Sequence, residues 1–368
     1  MTESVRLCIA GGGTGGHVMP ALALADAVRK RWPEVEVNFI GAERGLEARL
    51  LPERGEQVLL LPMHAFQGQG RWRKIKVLAS ELPKAVLQLA RLWRGNRPHL
   101  VVGVGGYASA AGVLAALLSR VPIVLYEQNA VPGMVNRLLA KFSRVVMLGF
   151  AEASSKLPSS KCRHTGNTVA ESLHDVHWQL RNEHCLLVLG GSQGARFLNE
   201  VMPDVCQILL ARGVKFRVRH IAGERVEELE ALIERYQDAG VDAEVLGYCH
   251  EMSSFYASGD VLIARSGAMT VSEVAVVGMP AVFIPYPSAA DDHQRHNANV
   301  LASRGAAVIV SQSRASVFVL VDILTALLTD ADRLVAMSGK AREAMPRDAC
   351  ERQLNVLAPW LESTEPAI

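Results

Sequence analysis

The chain has 368 residues, 49% of them apolar and 21% charged, and a formal net charge of +2. That length has room for two domains that each bury a core, and a charge so near neutral excludes bulk nucleic-acid binding. The six cysteines (8, 162, 185, 206, 249 and 350) form no C-x-x-C pair and no ligand spacing with histidine, so reduced thiols in a cytoplasmic protein are expected.

No signal-peptide pattern is read at the start, where MTESVRLCIAGGG leads directly into a strand and a glycine loop. The apolar run 5–10 predicts a parallel strand covered on both faces. GGGTGGH follows at 11–17, and Pro20 is expected in the first turn of the next helix, where its missing N–H costs nothing. Strands at 35–40 and 57–61 with a helix at 46–54 continue an alternation that implies a parallel α/β sheet. Residues 71–97 carry eight Lys or Arg against one acid, Glu81, interleaved with apolar residues from Trp72 and Ile75 to Trp93. This predicts a helix that packs through one face and meets an anionic membrane surface through residues near 71–93. Pro83 is expected to kink or split it.

Residues 100–119 lack charge over a length able to span a bilayer. Four glycines and a β-branched opening make buried strand, glycine loop and buried helix the better reading. A strand at 123–126 ends in Glu127, Gln128 and Asn129, polar groups where open α/β sheets bind ligands. A strand at 144–148 closes this half. The weakly patterned stretch 151–183 holds the linker, near 165–168.

The pattern then restarts. Strands are predicted at 186–189, 216–221, 243–246, 261–264 and 307–310. Helices are expected from the glycine loop GGSQGAR (190–196) to about 210, at 225–239, at 252–258, after Pro287, at about 314–328 and 331–345, and at about 350–361. The stretch 265–287, RSGAMTVSEVAVVGMPAVFIPYP, reads as loop, short helix, turn and strand. Ser266, Gly267 and Ala268 leave backbone N–H groups open at a helix start, which favours an anion. Glu273 is a carboxylate suited to accept from two vicinal ribose hydroxyls. An ordinary βα turn, with Glu273 serving the helix dipole, fits the stretch equally well.

Glycine loops at 11–16, 103–106 and 190–194 each follow a strand and precede a helix, where backbone N–H groups can approach a phosphate. None ends in Gly-Lys-Ser/Thr, so none is a P-loop. Gly11, Gly13 and Gly16 fit the dinucleotide spacing, which leaves an oxidoreductase open. The D-x-D at Asp330–Asp332 reads as a solvated helix start, and no metal role is assigned.

GGGTGGHVMPALALA, GVGGYAS, EQNAVPGMVNRLLA, GGSQGA, RSGAMTVSE and the helix with Gln294 and Asn297 occur in one order along nearly the whole chain. In this the sequence resembles the MurG family, the GT-B glycosyltransferases of bacterial peptidoglycan synthesis. The resemblance implies a GT-B fold, two Rossmann-like parallel-sheet domains facing a central cleft. The expected bounds are 1–166 for an acceptor and membrane-association domain and 167–345 for a UDP-GlcNAc-binding domain. The last helix, in 346–368, is expected to pack back on the first domain.

The resemblance also implies inverting transfer of N-acetylglucosamine from UDP-GlcNAc to the MurNAc 4-hydroxyl of lipid I (undecaprenyl-pyrophosphoryl-MurNAc-pentapeptide), giving lipid II without cofactor or metal. The setting it implies is peripheral, on the cytoplasmic face of the plasma (inner) membrane, with a cell-wall synthesis complex as a candidate partner. By the same resemblance Thr14, Gly15, Gly16 and Asn129 contact the donor sugar region, and Ser192 binds phosphate. Cys249 holds uracil through its backbone. Ala268, Met269, Thr270, Val271, Ser272 and Glu273 line the nucleotide, with Glu273 on the ribose, and Gln294 holds the sugar hydroxyls. His17 is the general-base candidate, histidine being the residue type suited to that task near neutrality, and Glu127 is a rival base or an orienting partner. Four positions depart from the family pattern. Ala170 stands where an arginine usually meets the donor phosphates, so that Arg265 or Arg196 is the substitute to examine. Tyr126 replaces a histidine, and Gln67 and Gln69 lie where a basic residue is common, leaving Arg71 or Arg73 to serve. Another lipid acceptor, or a nucleotide-sugar-binding scaffold without catalysis, are the alternative readings.

Overall fold

The computed structural model of the chain describes residues 4–13, 15–63, 80–190, 195–223 and 225–362. The basic, aromatic segment around Trp72 and Ile75, with Gln67, Gln69, Arg71 and Arg73, lies outside the described residues, as do Thr14 and Ser192.

Two compact units divide the chain, one of residues 1–169 and 348–368, the other of residues 170–347. The first unit alternates β1 (Arg6–Gly11), α1 (Gly15–Arg31), β2 (Glu36–Ala42), α2 (Glu47–Glu53), β3 (Val58–Leu61), α3 (Leu82–Leu92), β4 (Leu100–Gly105), α4 (Gly106–Leu118), β5 (Ile123–Glu127), α5 (Met134–Leu139), β6 (Val145–Leu148) and β7 (Cys162–His164). Its sheet runs β3-β2-β1-β4-β5-β6-β7, all parallel. β4 is buried at all six positions. Alternate residues of β1 feed opposite faces, Cys8 and Ala10 into one core, Leu7 and Ile9 into the other.

The second unit repeats the plan with β8 (His184–Leu189), α6 (Arg196–Ala211), β9 (Phe216–Ile221), α7 (Val226–Asp238), β10 (Ala243–Leu246), α8 (Met252–Ala257), β11 (Val261–Ala264), α9 (Ala268–Val277), β12 (Ala281–Phe283), α10 (His293–Ala302), β13 (Ala307–Ile309), α11 (Val317–Leu328) and α12 (Ala331–Glu343). Its parallel sheet runs β10-β9-β8-β11-β12-β13. Both orders reverse direction beside the first strand, between β1 and β4 and between β8 and β11, which is where open α/β sheets take their ligands. The final helix, α13 (Ala349–Leu361), packs on α1 and β6 of the first unit. Its buried Gln353 accepts from Thr168 Oγ1 at 2.9 Å and donates to the Gly166 carbonyl at 2.8 Å.

Residues 100–118 are strand and helix, as their glycines predict, and no described helix is long and apolar enough to cross a membrane. Asp330 caps α12, accepting from the Arg333 N–H at 3.0 Å, the helix start predicted for it. Pro83 stands in the first turn of α3, and most of the stretch before it, which it was expected to kink or split off, lies outside the described residues. Two expectations need correction. The first half does not close at residue 148, because β7 adds a seventh strand beside β6. Pro20 is not in the first turn of α1: the helix begins at Gly15, so Pro20 lies inside it and cannot donate to the Gly16 carbonyl.

Candidate active site

In the first unit the candidate groups gather at the ends of β1, β4 and β5. The early start of α1 puts His17 in its first turn, half-buried, with Nδ1 3.1 Å from Gln128 Oε1. Gly15 is half-buried and Gly16 exposed beside it. The glycines of 103–106 form no separate loop, since β4 runs straight into α4. Gly105 turns the chain there at φ +102°, and a Cβ at that position would stand 2.8 Å from His17 Cε1. Glycine is therefore required twice, for the backbone and for the imidazole against it.

A carboxylate that sequence reasoning did not single out builds the first glycine loop. Glu47, at the start of α2, is fully buried. Its Oε2 accepts from the Gly13 N–H at 2.7 Å and its Oε1 from the Ala42 N–H at 2.9 Å. The loop's Gly13 N–H is thus satisfied from within the protein. Burial, and secondarily the Glu47 charge, raises the pKa of the neighbouring Tyr107 phenol.

Glu127 is also buried and saturated. Oε1 accepts from the Asn129 N–H at 2.9 Å and Asn129 Nδ2 at 3.3 Å. Oε2 accepts from the Gly133 N–H and Asn136 Nδ2, both at 2.9 Å. A carboxylate with each oxygen bonded twice is suited to organising the 127–136 turn and poorly suited to taking a proton. Tyr126, which replaces the family histidine, is absorbed internally: its buried hydroxyl donates to Asn167 Oδ1 at 3.0 Å.

In the second unit, β11 delivers Arg265, Ser266 and Gly267 to the start of α9. Ser266 does not leave its N–H open, as expected from sequence, because Gln294 Oε1 accepts from it at 3.3 Å. Gln294, half-buried at the head of α10, also accepts from the Tyr286 N–H at 2.9 Å, and its backbone carbonyl takes the Ser266 hydroxyl at 2.9 Å. Of the run 268–273, Ala268, Val271 and Ser272 are buried, and the Ser272 hydroxyl bonds back to the Ala268 carbonyl at 2.8 Å. By helical periodicity the side chains of Val271 and Ser272 face the core, while those of Met269, Thr270 and Glu273 remain partly accessible.

Glu273 Oε2 accepts from the hydroxyl of the fully buried Tyr256 at 2.8 Å. Burial pushes the Glu273 carboxyl above the ordinary glutamate range, and the Tyr256 bond works against that rise. Cys249 is half-buried in the turn before α8, between Tyr248 and His250, whose rings meet edge to face with centroids 4.8 Å apart. Ala170 is exposed. Arg265 is half-buried, donating to the carbonyls of Ile284 and Pro285 and to Gln312 Oε1 at 2.9, 3.3 and 2.7 Å. Among the described residues no carboxylate pairs with it. Arg196 is exposed and pairs with Glu200 at 2.7 Å.

Residues 7–148 match the glycosyltransferase family 28 N-terminal domain, and residues 185–353 the family's C-terminal domain. The chain is 37% identical over 353 residues to a protein of Syntrophotalea carbinolica named UDP-N-acetylglucosamine–N-acetylmuramyl-(pentapeptide) pyrophosphoryl-undecaprenol N-acetylglucosamine transferase, covering 96% of this chain and 98% of that one. A relative of the same name from Magnetococcus marinus is 40% identical over 305 residues, 81% of this chain and 82% of its own. Among solved structures, MurG of Acinetobacter baumannii is similar at a TM-score of 0.79 and 31% identity, over 96% of this chain and 99% of that one. The two parallel-sheet, Rossmann-like units are those of a GT-B glycosyltransferase.

Proposed function

This chain belongs to glycosyltransferase family 28, and from that membership we propose that it transfers N-acetylglucosamine from UDP-GlcNAc to the MurNAc 4-hydroxyl of lipid I, forming lipid II. The carrying observation is similarity over 96% of the chain to a relative named as an N-acetylglucosamine transferase of UDP-N-acetylglucosamine and N-acetylmuramyl-(pentapeptide) pyrophosphoryl-undecaprenol. Donor-dependent release of UDP by the purified protein, with and without a lipid I analogue, tests it. Release that is stimulated by the analogue is expected. Absence of release, or equal stimulation by unrelated lipid acceptors, overturns it.

The two units take different tasks in this reading. In the second, Glu273 receives the ribose hydroxyls through Oε1, Oε2 being committed to Tyr256. Arg265, a cation without a carboxylate partner among the described residues, serves the donor diphosphate in place of the arginine absent at Ala170. In the first, His17 takes the proton of the acceptor hydroxyl, and Glu127 orients the 127–136 turn that carries Asn129. Thr14, Gly15, Gly16, Ser192, Cys249 and Gln294 keep the donor contacts that the family resemblance gives them.

Ribose recognition needs the ionised form of Glu273. A raised carboxyl pKa leaves that form complete above the shifted value and lost below it. Donor affinity is therefore expected to fall on acidification with a midpoint above 4.5, and Tyr256→Phe to move that midpoint higher. Calorimetric titration of the donor across the acid range checks this, and an identical midpoint in the variant would remove Tyr256 from the account.

A peripheral seat on the cytoplasmic membrane face is supported by a cluster on the first unit. Leu87 and Leu92 on α3, Leu117 and Leu118 on α4, Leu138 on α5 and the following Phe142 are all exposed. These helices are neighbours, and Lys84, Arg91 and Lys141 lie among them. A groove lined by Leu59, Lys84, Leu87 and Arg91 borders α3. Each basic residue near an anionic surface contributes about 1 kcal/mol. Replacing Lys84 and Arg91 by glutamine and Leu87 and Leu92 by serine should reduce sedimentation with anionic vesicles by more than about tenfold. Equal sedimentation of parent and variant would discard this face as the attachment surface.

A further inference from the structure

We propose that Gln128 is a positioning residue that fixes the tautomer of His17, placing the ring proton on Nδ1 and the lone pair on Nε2. Gln128 follows β5 and is fully buried. Its amide has one donating end and one accepting end, and its surroundings distinguish them. Nε2 donates to the Tyr126 carbonyl at 3.2 Å, which leaves Oε1 facing His17 Nδ1 at 3.1 Å. The reverse orientation would set the amide oxygen against the Tyr126 carbonyl oxygen, two acceptors with no proton between them. A carbonyl oxygen can only accept, so the ring nitrogen opposite it carries hydrogen. A neutral imidazole has one N–H, and Nε2 is then the basic nitrogen.

The rest of the unit holds this arrangement from behind. Asn167 Nδ2 donates to the Gln128 carbonyl at 3.0 Å, and Asn167 Oδ1 in turn accepts from the Tyr126 hydroxyl. Gly105 also lies against the ring, where a Cβ would come within 3.0 Å of His17 Nδ1. A side chain there would drive the imidazole off Gln128. A glutamine orders the position of the proton without adding a charge beside the ring, unlike the carboxylates that orient many catalytic histidines.

For turnover the inference rests on the reading of His17 as the base. The acceptor hydroxyl gives its proton to Nε2 as its oxygen bonds the anomeric carbon. The bond from that carbon to the diphosphate oxygen breaks, and its electron pair leaves with UDP. Nothing in the tautomer assignment itself needs that step, so the two can fail separately.

The test is a long-range nitrogen–proton correlation spectrum of the full-length protein labelled with 15N-histidine, at a pH where the ring is neutral. The chain has 11 histidines, and the His17 signals are those missing from His17→Gln. Wild type should show Nδ1 protonated and Nε2 unprotonated. Gln128→Met, which keeps the length and removes the acceptor, should lose that pattern. Its kcat should fall roughly tenfold to a hundredfold, part of what a general base supplies, with donor affinity within about twofold. Gln128→Glu, which retains an acceptor, should restore the Nδ1–H signal. A protonated Nε2 in wild type overturns the proposal whether or not the Gln128 variants fold, and so does an unchanged pattern in Gln128→Met. If instead Nδ1–H is seen but His17→Ala turns over normally, the base reading falls and the tautomer assignment stands.

Discussion

Donor binding should weaken by about a hundredfold or more when Glu273 is replaced by alanine, since two charge-assisted hydrogen bonds of about 1.5–3 kcal/mol each are removed from the ribose. The substitution has a second effect. The Tyr256 hydroxyl is fully buried and donates to Glu273 Oε2, so alanine leaves it without an acceptor, at a cost to folding of about 1–3 kcal/mol. Glu273→Gln separates the two. It retains an oxygen for Tyr256 and loses the charge, so stability should recover while donor affinity stays impaired. Calorimetric titration with UDP-GlcNAc and with UDP, alongside thermal melts, reads both quantities. Unchanged affinity in the alanine variant would refute ribose binding by Glu273.

His17→Ala is expected to act on the other half of the reaction. A positioned general base contributes about a hundredfold to ten-thousandfold, and kcat should fall by an amount in that range. Donor affinity should not follow, because the donor-binding groups assigned to the second unit are untouched. A fall in kcat and in kcat/KM for the acceptor by the same factor marks an interaction made only in the transition state. Loss of donor affinity with unchanged turnover would turn His17 into a binding group and leave the reaction without its base.

The architecture was legible because parallel strands buried on both faces leave uninterrupted apolar runs, with glycine or polar residues where they end. β7 escaped because it is a three-residue edge strand, Cys162–His164, with two of its residues exposed and no apolar run to read. The early start of α1 was hidden by Pro20, whose usual place suggested a later first turn. The inward turn of Val271 and Ser272 could have been read, since Val271, Val274 and Ala275 already mark one helical face.

The supporting contacts of the site were not readable in the same way. His17 and Gln128 are 111 positions apart, and Gly13 and Glu47 are 34 apart. They meet because sheet order brings the ends of β1, β2, β4 and β5 together. Gln128 stood in the quoted EQN motif, between two residues whose types suggested chemistry, and only the fold reveals that it faces the imidazole.

The burial of Glu47 ties together positions that are scattered along the chain. A methyl group at Gly12, Gly41 or Gly45 would come within 2.1 to 2.4 Å of its side chain. These four residues consequently form one unit of mutational constraint. At Gly41 or Gly45, an alanine becomes sterically admissible once residue 47 is shortened, but the shortened residue strands the Gly13 and Ala42 N–H groups. Each single replacement is barred by volume, and the compensated pair is barred by polarity. Sequence drift at the three glycines is thus blocked by a residue that need not touch either substrate.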